Sequence, residues 1–222
     1  MNHSRGLTLA VFLTASAFSL SAGTLAVTVS STAMPWQWDS TSLNAAFQYG
    51  LQDGTAPTTI GTGSEIAFAA GGTLTIMYLG GLSSAFGGTP DVTAEGYGPN
   101  PPSPFVYDAS ANLGSSGQPF PSLYMDPASY PIYLNTLVGA FTDLGGNIVG
   151  TPFAVFDGPL SVVVPLGAAQ LQLGVNDDFF ADNTGSLLVQ VTGPDGNVPE
   201  PTSLLLLGSG LALLAIRYCG RP

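Results

Sequence analysis

Gln170-Leu171-Gln172-Leu173-Gly174-Val175 alternates polar or small residues with apolar ones. A period of two places Leu171, Leu173 and Val175 on one side of an extended chain, which reads as a half-buried β-strand. The alternation stops at Asn176-Asp177-Asp178-Phe179-Phe180-Ala181-Asp182-Asn183-Thr184-Gly185, and a second apolar run follows from Ser186 to Thr192. Two strands with a polar, glycine-closed loop between them set the theme for the middle of the chain. Short β-rich runs recur at Glu65 to Ala69, Thr73 to Leu79, Ile132 to Asn135, Thr136 to Phe141, Phe153 to Val155 and Leu160 to Val164. Gly, Pro, Asn and Asp punctuate them, and no helical period is sustained after Trp36. The expected fold is all-β, an antiparallel jelly-roll-like β-sandwich over residues 27–195. Gly87 to Gln118 is rich in Gly, Pro, Ser and Asn and reads as one long loop.

The chain of 222 residues holds 29 Gly and 18 Pro, with 45% hydrophobic residues. That is a turn-rich composition with enough apolar mass for a packed core. Its charge is one-sided. All fourteen acids lie between Asp39 and Glu200, and the three basic residues, Arg5, Arg217 and Arg221, lie outside that stretch. A domain without cationic side chains cannot neutralise phosphates, so nucleic acid is excluded as a partner, as is docking on anionic lipid by charge alone. The sole His is His3 and the sole Cys is Cys219. The middle therefore has no Ser-His-Asp triad, Cys-His dyad, His-ligated zinc or internal disulfide.

Carboxylate and carbonyl oxygens remain, and these suit hard cations such as calcium. Asp177, Asp178 and Asp182, with Asn176 and Asn183, crowd one loop with no cation nearby in sequence. Clustered carboxylates repel one another, and a divalent ion removes the conflict. The same residue types also favour a plain polar hairpin. Paired carboxylates can hydrolyse glycosides, but these three share one loop, and the chain is not expected to be an enzyme. Trp36, Trp38, Tyr97, Tyr107, Tyr124 and Tyr130 suit either a sugar-stacking platform or internal packing.

Both ends read as addresses. Met1 to Arg5 carries one positive charge, and an apolar run from Leu7 to Ala17 precedes small residues. This is the pattern of a secretory signal helix, assigned to residues 1–26, with exits at Ala15-Ser16-Ala17 or near Ala22 or Ala26. At the other end, Val198-Pro199-Glu200-Pro201 leads into an apolar segment, 203–216, and a basic tip. As a helix that segment measures about 21 Å, short for a bilayer core of about 30 Å. Its positive tip would stay cytoplasmic.

Val-Pro-Glu-Pro, a Leu-rich helix and a basic tip, over 196–222, resemble the PEP-CTERM sorting signal of Gram-negative bacteria. Tyr218, Cys219 and Gly220 interrupt the usual Arg-rich tip. The resemblance implies export through the inner membrane, anchoring by the helix, and recognition by an exosortase, a membrane transpeptidase. The protein is then cut near the motif and released or joined to surface polysaccharide.

Pro165 to Asp178, together with Asp182-Asn183-Thr184-Gly185-Ser186, is similar to the second half of the calcium-dependent galactophilic lectins and their galactose-binding-like relatives. Leu137 to Phe141 resembles that family's middle strand. The likeness implies a jelly-roll sandwich in which Asp177, Asp182 and Asn183 ligate calcium through side chains. A backbone carbonyl near Phe179 or Phe180 would join them. Ala85, in Gly80 to Phe86, stands where the family supplies another carbonyl. The His and Gln with which the lectins hold sugar have no counterpart here. A structural calcium is therefore favoured over a sugar-bridging one, with a calcium-dependent glycan-binding module as the alternative.

The tail generates the first prediction. In a host with the matching transpeptidase, intact-mass measurement of the surface protein is expected to end near Val198 to Thr202. A mature population that still carries Cys219 would contradict it.

Overall fold

The computed structural model describes residues 22–61, 63–98, 106–107, 113–194 and 196. Two four-stranded antiparallel sheets face each other. The first runs in the order β1 (Ala22–Ser30), β10 (Thr184–Pro194), β3 (Thr73–Ser84), β8 (Leu160–Val163). The second runs β2 (Thr58–Gly61), β9 (Gln170–Val175), β6 (Leu137–Thr142), β7 (Phe153–Ala154). A two-residue ladder joins β4 (Val106–Tyr107) to β5 (Ile132–Tyr133). The chain changes sheet between β1 and β2, β2 and β3, β3 and β6, β7 and β8, β8 and β9, and β9 and β10, which produces a sandwich rather than two separate meanders.

The space between the sheets is filled by Val29, Ile60, Ile66, Leu74, Ile76, Leu137, Phe141, Leu171, Leu173, Leu187, Val189 and Val191. The expected half-buried strand Gln170–Val175 is found at those bounds, yet it is buried on both faces from Leu171 onward. The reason is a second apolar layer outside the second sheet. Trp36, Tyr49, Met125, Ile132 and Phe180 pack there against Val138, Ala140, Ala154 and Val175. Trp36 and Tyr49 meet edge to face with centroids 5.0 Å apart, and Tyr49 meets Phe180 at 6.0 Å. Trp36 is thus a core residue, its Nε1 donating to the Phe47 carbonyl at 2.9 Å, and not part of an exposed platform.

Most expected strands are present with shifted ends, and three differences have physical causes. Glu65 to Ala69 forms no extended ladder. Ile66 inserts into the core, and the segment meets the end of β10 through Ala67 N–H to the Pro194 carbonyl and Gly196 N–H to the Glu65 carbonyl. Ile132 to Asn135 is cut short because Asn135 adopts φ +62, which ends the extended chain. The third difference is β1, nine residues paired throughout with β10 in unbroken register. Its inward residues Leu25, Val27 and Val29 alternate with Thr24, Ala26 and Thr28, but the stretch continues an apolar leader and reads as part of it. The 26/27 boundary falls inside this strand. The rest of the expected signal helix, the helix 203–216 and the motif Val198 to Pro201 lie outside the described residues.

Removing residues 22–26 would delete five of the nine register pairs of β1 and the Leu25 contact with the core. A protein starting at Val27 is therefore expected to melt about 5–10 °C below one starting at Ala22. Equal melting curves would show that the first half of β1 contributes nothing.

Candidate cation site at the 176–183 loop

The loop from β9 to β10 is held at both ends. Asn176 is fully buried and works as a brace. Its Oδ1 accepts from Ser122 N–H at 3.0 Å, and its Nδ2 donates to the Tyr133 carbonyl at 3.1 Å. Its own backbone bonds Thr136 and Asn135. With its side chain fully engaged, Asn176 has no lone role as a ligand. Phe180 is the second anchor, its ring fully buried in the outer apolar layer. Its N–H donates to Asp53 Oδ1 at 3.0 Å, and Ala181 N–H donates to Asp53 Oδ2 at 3.3 Å. At the far end Gly185 takes φ +93, and a Cβ there would lie 2.2 Å from the Leu82 carbonyl oxygen. A residue with a side chain cannot make this return into β10 beside β3.

Between these anchors Asp177, Asp178 and Asn183 turn inward, while Asp182 stays exposed. Asp177 is buried at the end of β9. Its Oδ1 accepts from the amides of Asp178 at 2.7 Å and Phe179 at 3.2 Å, and its Oδ2 accepts from Asn183 Nδ2 at 3.0 Å. Asn183 Nδ2 also donates to the Ser31 carbonyl at 2.9 Å, while Asn183 Oδ1 is buried with no partner. Asp178 is buried as well, under the turn that joins Leu113 to Pro119. Ser116 N–H donates to its Oδ2 at 2.7 Å, and the carboxyl carbon lies 2.0 Å from where a Cβ on Gly114 would be. Only a glycine lets that turn close over the carboxylate.

Asp177, Asp178, Phe179 and Asp182 line one cavity with Ala85, Phe86, Ser115 and Leu134, of about 80 Å³. Four of the five residues expected to ligate a metal, Ala85, Asp177, Phe179 and Asp182, therefore share one hollow, and Asn183 touches it through Asp177. The sequence reading did not single out Asp178 as a ligand, although it lay in the cluster. It also missed Asp53, which reaches the loop from more than a hundred residues away, and no local signal in Leu51 to Thr55 announces it. Among the described residues no three His, Cys, Asp or Glu side chains form a metal-binding group by themselves. A complete shell here would need amide and carbonyl oxygens, and Asn183 would have to present Oδ1 in place of Nδ2.

The electrostatics single out this loop. Asp39 and Asp143 are partly exposed and held below the usual carboxylate range by hydrogen bonds, Asp39 from the Leu43 amide, the Ser42 hydroxyl and further amides of its own turn, Asp143 from the side chain and amide of Asn147. Asp177 moves the other way, pushed up to about 7 by burial, against the pull of Asn183 and two amides. Asp182 is also raised, first by desolvation and then by repulsion from Asp53 and Asp178. No Lys, Arg or His occurs anywhere in the described residues, so no side chain can supply a counter-charge.

This has a pH consequence in metal-free protein. With the folded value near 7 and the ordinary value 3.8, the native state holds the extra proton between about pH 4 and 7. Stability then falls as pH rises through that window and levels off above it. Metal-free protein is expected to melt lower at pH 8 than at pH 5, and Asp177→Asn is expected to flatten the difference. A melting temperature that rises from pH 5 to pH 8 would contradict the burial of this carboxylate.

The family described as the PEP-CTERM protein-sorting motif matches residues 197–221. No curated protein and no solved structure matches the chain significantly. The likeness of the central stretch to the galactophilic lectins gains no support from these comparisons. At its carboxy-terminal end the chain carries the sorting motif of an exported protein that exosortase, a membrane enzyme, directs to the cell surface or beyond.

Proposed function

We propose that this protein is an exosortase-sorted surface or matrix protein of a Gram-negative bacterium whose β-sandwich is stapled by one calcium ion at the 176–183 loop, in a structural or interaction role. The observation that supports the ion is a cavity lined by three acids with no basic side chain anywhere in the described domain. Asn183 Oδ1 is buried without a partner, and turning the amide, whose Nδ2 now donates to Asp177, would offer that oxygen to a cation. Asp177, Asp178, Asp182 and Asn183 would hold the ion with backbone carbonyls of Phe179 and Ala85, and oxygen donors of this kind suit calcium. An ion so held ties the β9–β10 turn to the end of β3. The reading includes no catalysis, because the acids share one hollow and do not flank a cleft.

One observation favours the alternative of a calcium-dependent glycan-binding module. Phe86, at the mouth of the cavity, is 56% exposed and tilts against Tyr97 with centroids 5.1 Å apart. An exposed ring beside a cation is where a sugar face would stack. A screen of glycans with and without calcium separates the two readings.

The stapling itself is tested by melting. Binding to the native state alone adds about 2.7 kcal/mol at a hundredfold excess over Kd. Melting is expected to rise by several degrees in millimolar calcium and to fall in chelator. Asp177→Ala should remove the shift and Asp157→Ala, outside the loop, should keep it. Identical curves in calcium and chelator would return 176–183 to a plain turn.

A further inference from the structure

Each sheet has two outer strands, and three of the four are protected. β2 is four residues long and follows Pro57, β7 is two residues long and follows Pro152, and β8 is four residues long between Pro159 and Pro165. Short length and flanking prolines are the usual means of keeping an edge from pairing. β1 has none of these. It is nine residues long, holds no proline, charge or bulge, and no charged residue follows it before Asp39.

Its outward groups can be identified. Ser31 N–H donates to the Gly185 carbonyl, so the odd-numbered residues of β1 turn their backbone toward β10 and the even-numbered ones turn away. The Thr28 carbonyl accepts from Thr58 Oγ1 at 3.3 Å, and the Ser30 carbonyl accepts from Ala33 N–H at 2.9 Å. Among the described residues no hydrogen bond reaches the outward N–H and C=O of Thr24 and Ala26. Beneath them Leu25 and Val27 are only half-buried against the core.

We propose that β1 is an assembly edge, and that its partner is β1 of a second copy of this chain, antiparallel and centred on Ala26. That register sets Ala26 against the partner's Ala26 and Thr24 against the partner's Thr28. All are small side chains on the exposed face, so two strands can reach ladder distance without a clash. The two four-stranded sheets become one eight-stranded sheet, and Leu25 and Val27 are covered from the side. Two copies of so acidic a domain repel, and this contact opposes no acids, since neither β1 nor its neighbour β10 holds a charged residue. The other strands are uncharged too, so it is the length and openness of β1 that select it. The contact is isologous, so each copy uses its one free edge and assembly stops at two.

Sedimentation equilibrium of the purified exported protein, from micromolar to submillimolar concentration, reads the result. The mass is expected to double across that range. Ala26→Asp sets two carboxylates opposite each other on the two-fold axis and should leave a monomer with an unchanged melting temperature, its side chain being exposed. Ala26→Pro removes an outward donor without touching the β10 ladder and should do the same. Ser161→Asp, on the opposite edge of the same sheet, should still dimerise. A monomeric wild type at every concentration would overturn the proposal. So would a dimer that survives Ala26→Asp and Ala26→Pro, or one lost equally in Ser161→Asp.

Discussion

A carboxylate at the end of β9 is buried in a domain that has no basic side chain to answer it. Asp177 cannot move out to water, because the residues on either side of its turn are fixed. Asn176 is hydrogen-bonded into the 122 and 133 segments, and Phe180 is sunk in an apolar layer with Tyr49 and Trp36. β9 itself is covered on both faces, by the inner core and by that same outer layer. The fold therefore holds the acid in place, and burying a charge without a partner is costly. Two remedies exist, a proton or a cation. Burial raises Asp177 toward the first, and the second is the remedy proposed for the hollow that Asp177, Asp178 and Asp182 line.

The distribution of charge follows the same logic through the whole molecule. None of the eight strands in the two sheets contains a charged residue, so the acids described lie in the connections. Several of these are met by backbone amides. Asp39 and Asp143 accept amides of their own turns, and Glu95 and Asp157 each accept the other's backbone N–H at 3.2 Å. The 176–183 loop is different because three of its acids line one hollow and a fourth, Asp53, is brought to it by the first long connection. The sorting motif sends this acidic domain out of the cytoplasm, and a surface protein has access to calcium there.

Much of the fold was legible because short β-rich runs stand between Gly, Pro, Asn and Asp, and Gln170 to Val175 alternates with a period of two. Gln170 to Val175 was found at its true bounds, and β3, β6, β7, β8 and β10 within a few residues. What the alternation could not reveal was the outer layer. Trp36, Tyr49 and Phe180 come from three distant connections, and the backbone of Ala33 to Pro35, which leads into Trp36, lies against Gly174. β1 was hidden by its neighbours, since Ala22 to Ser30 follows an apolar leader whose composition it shares. At the site, local spacing gave the acidic cluster, while the choice of Asp177, Asp182, Asn183, Phe179 and Ala85 as ligands rested on a family likeness; all of these but Asn183 line one cavity. Asp53 was not legible, because a single Asp before a glycine looks like any turn.

Calorimetric titration of calcium into chelator-stripped protein addresses the central claim most directly. The account predicts saturable binding of one ion per chain, lost when Asp177 and Asp182 are both replaced by Asn. Titration with no heat above dilution, in protein shown to be folded, would contradict it.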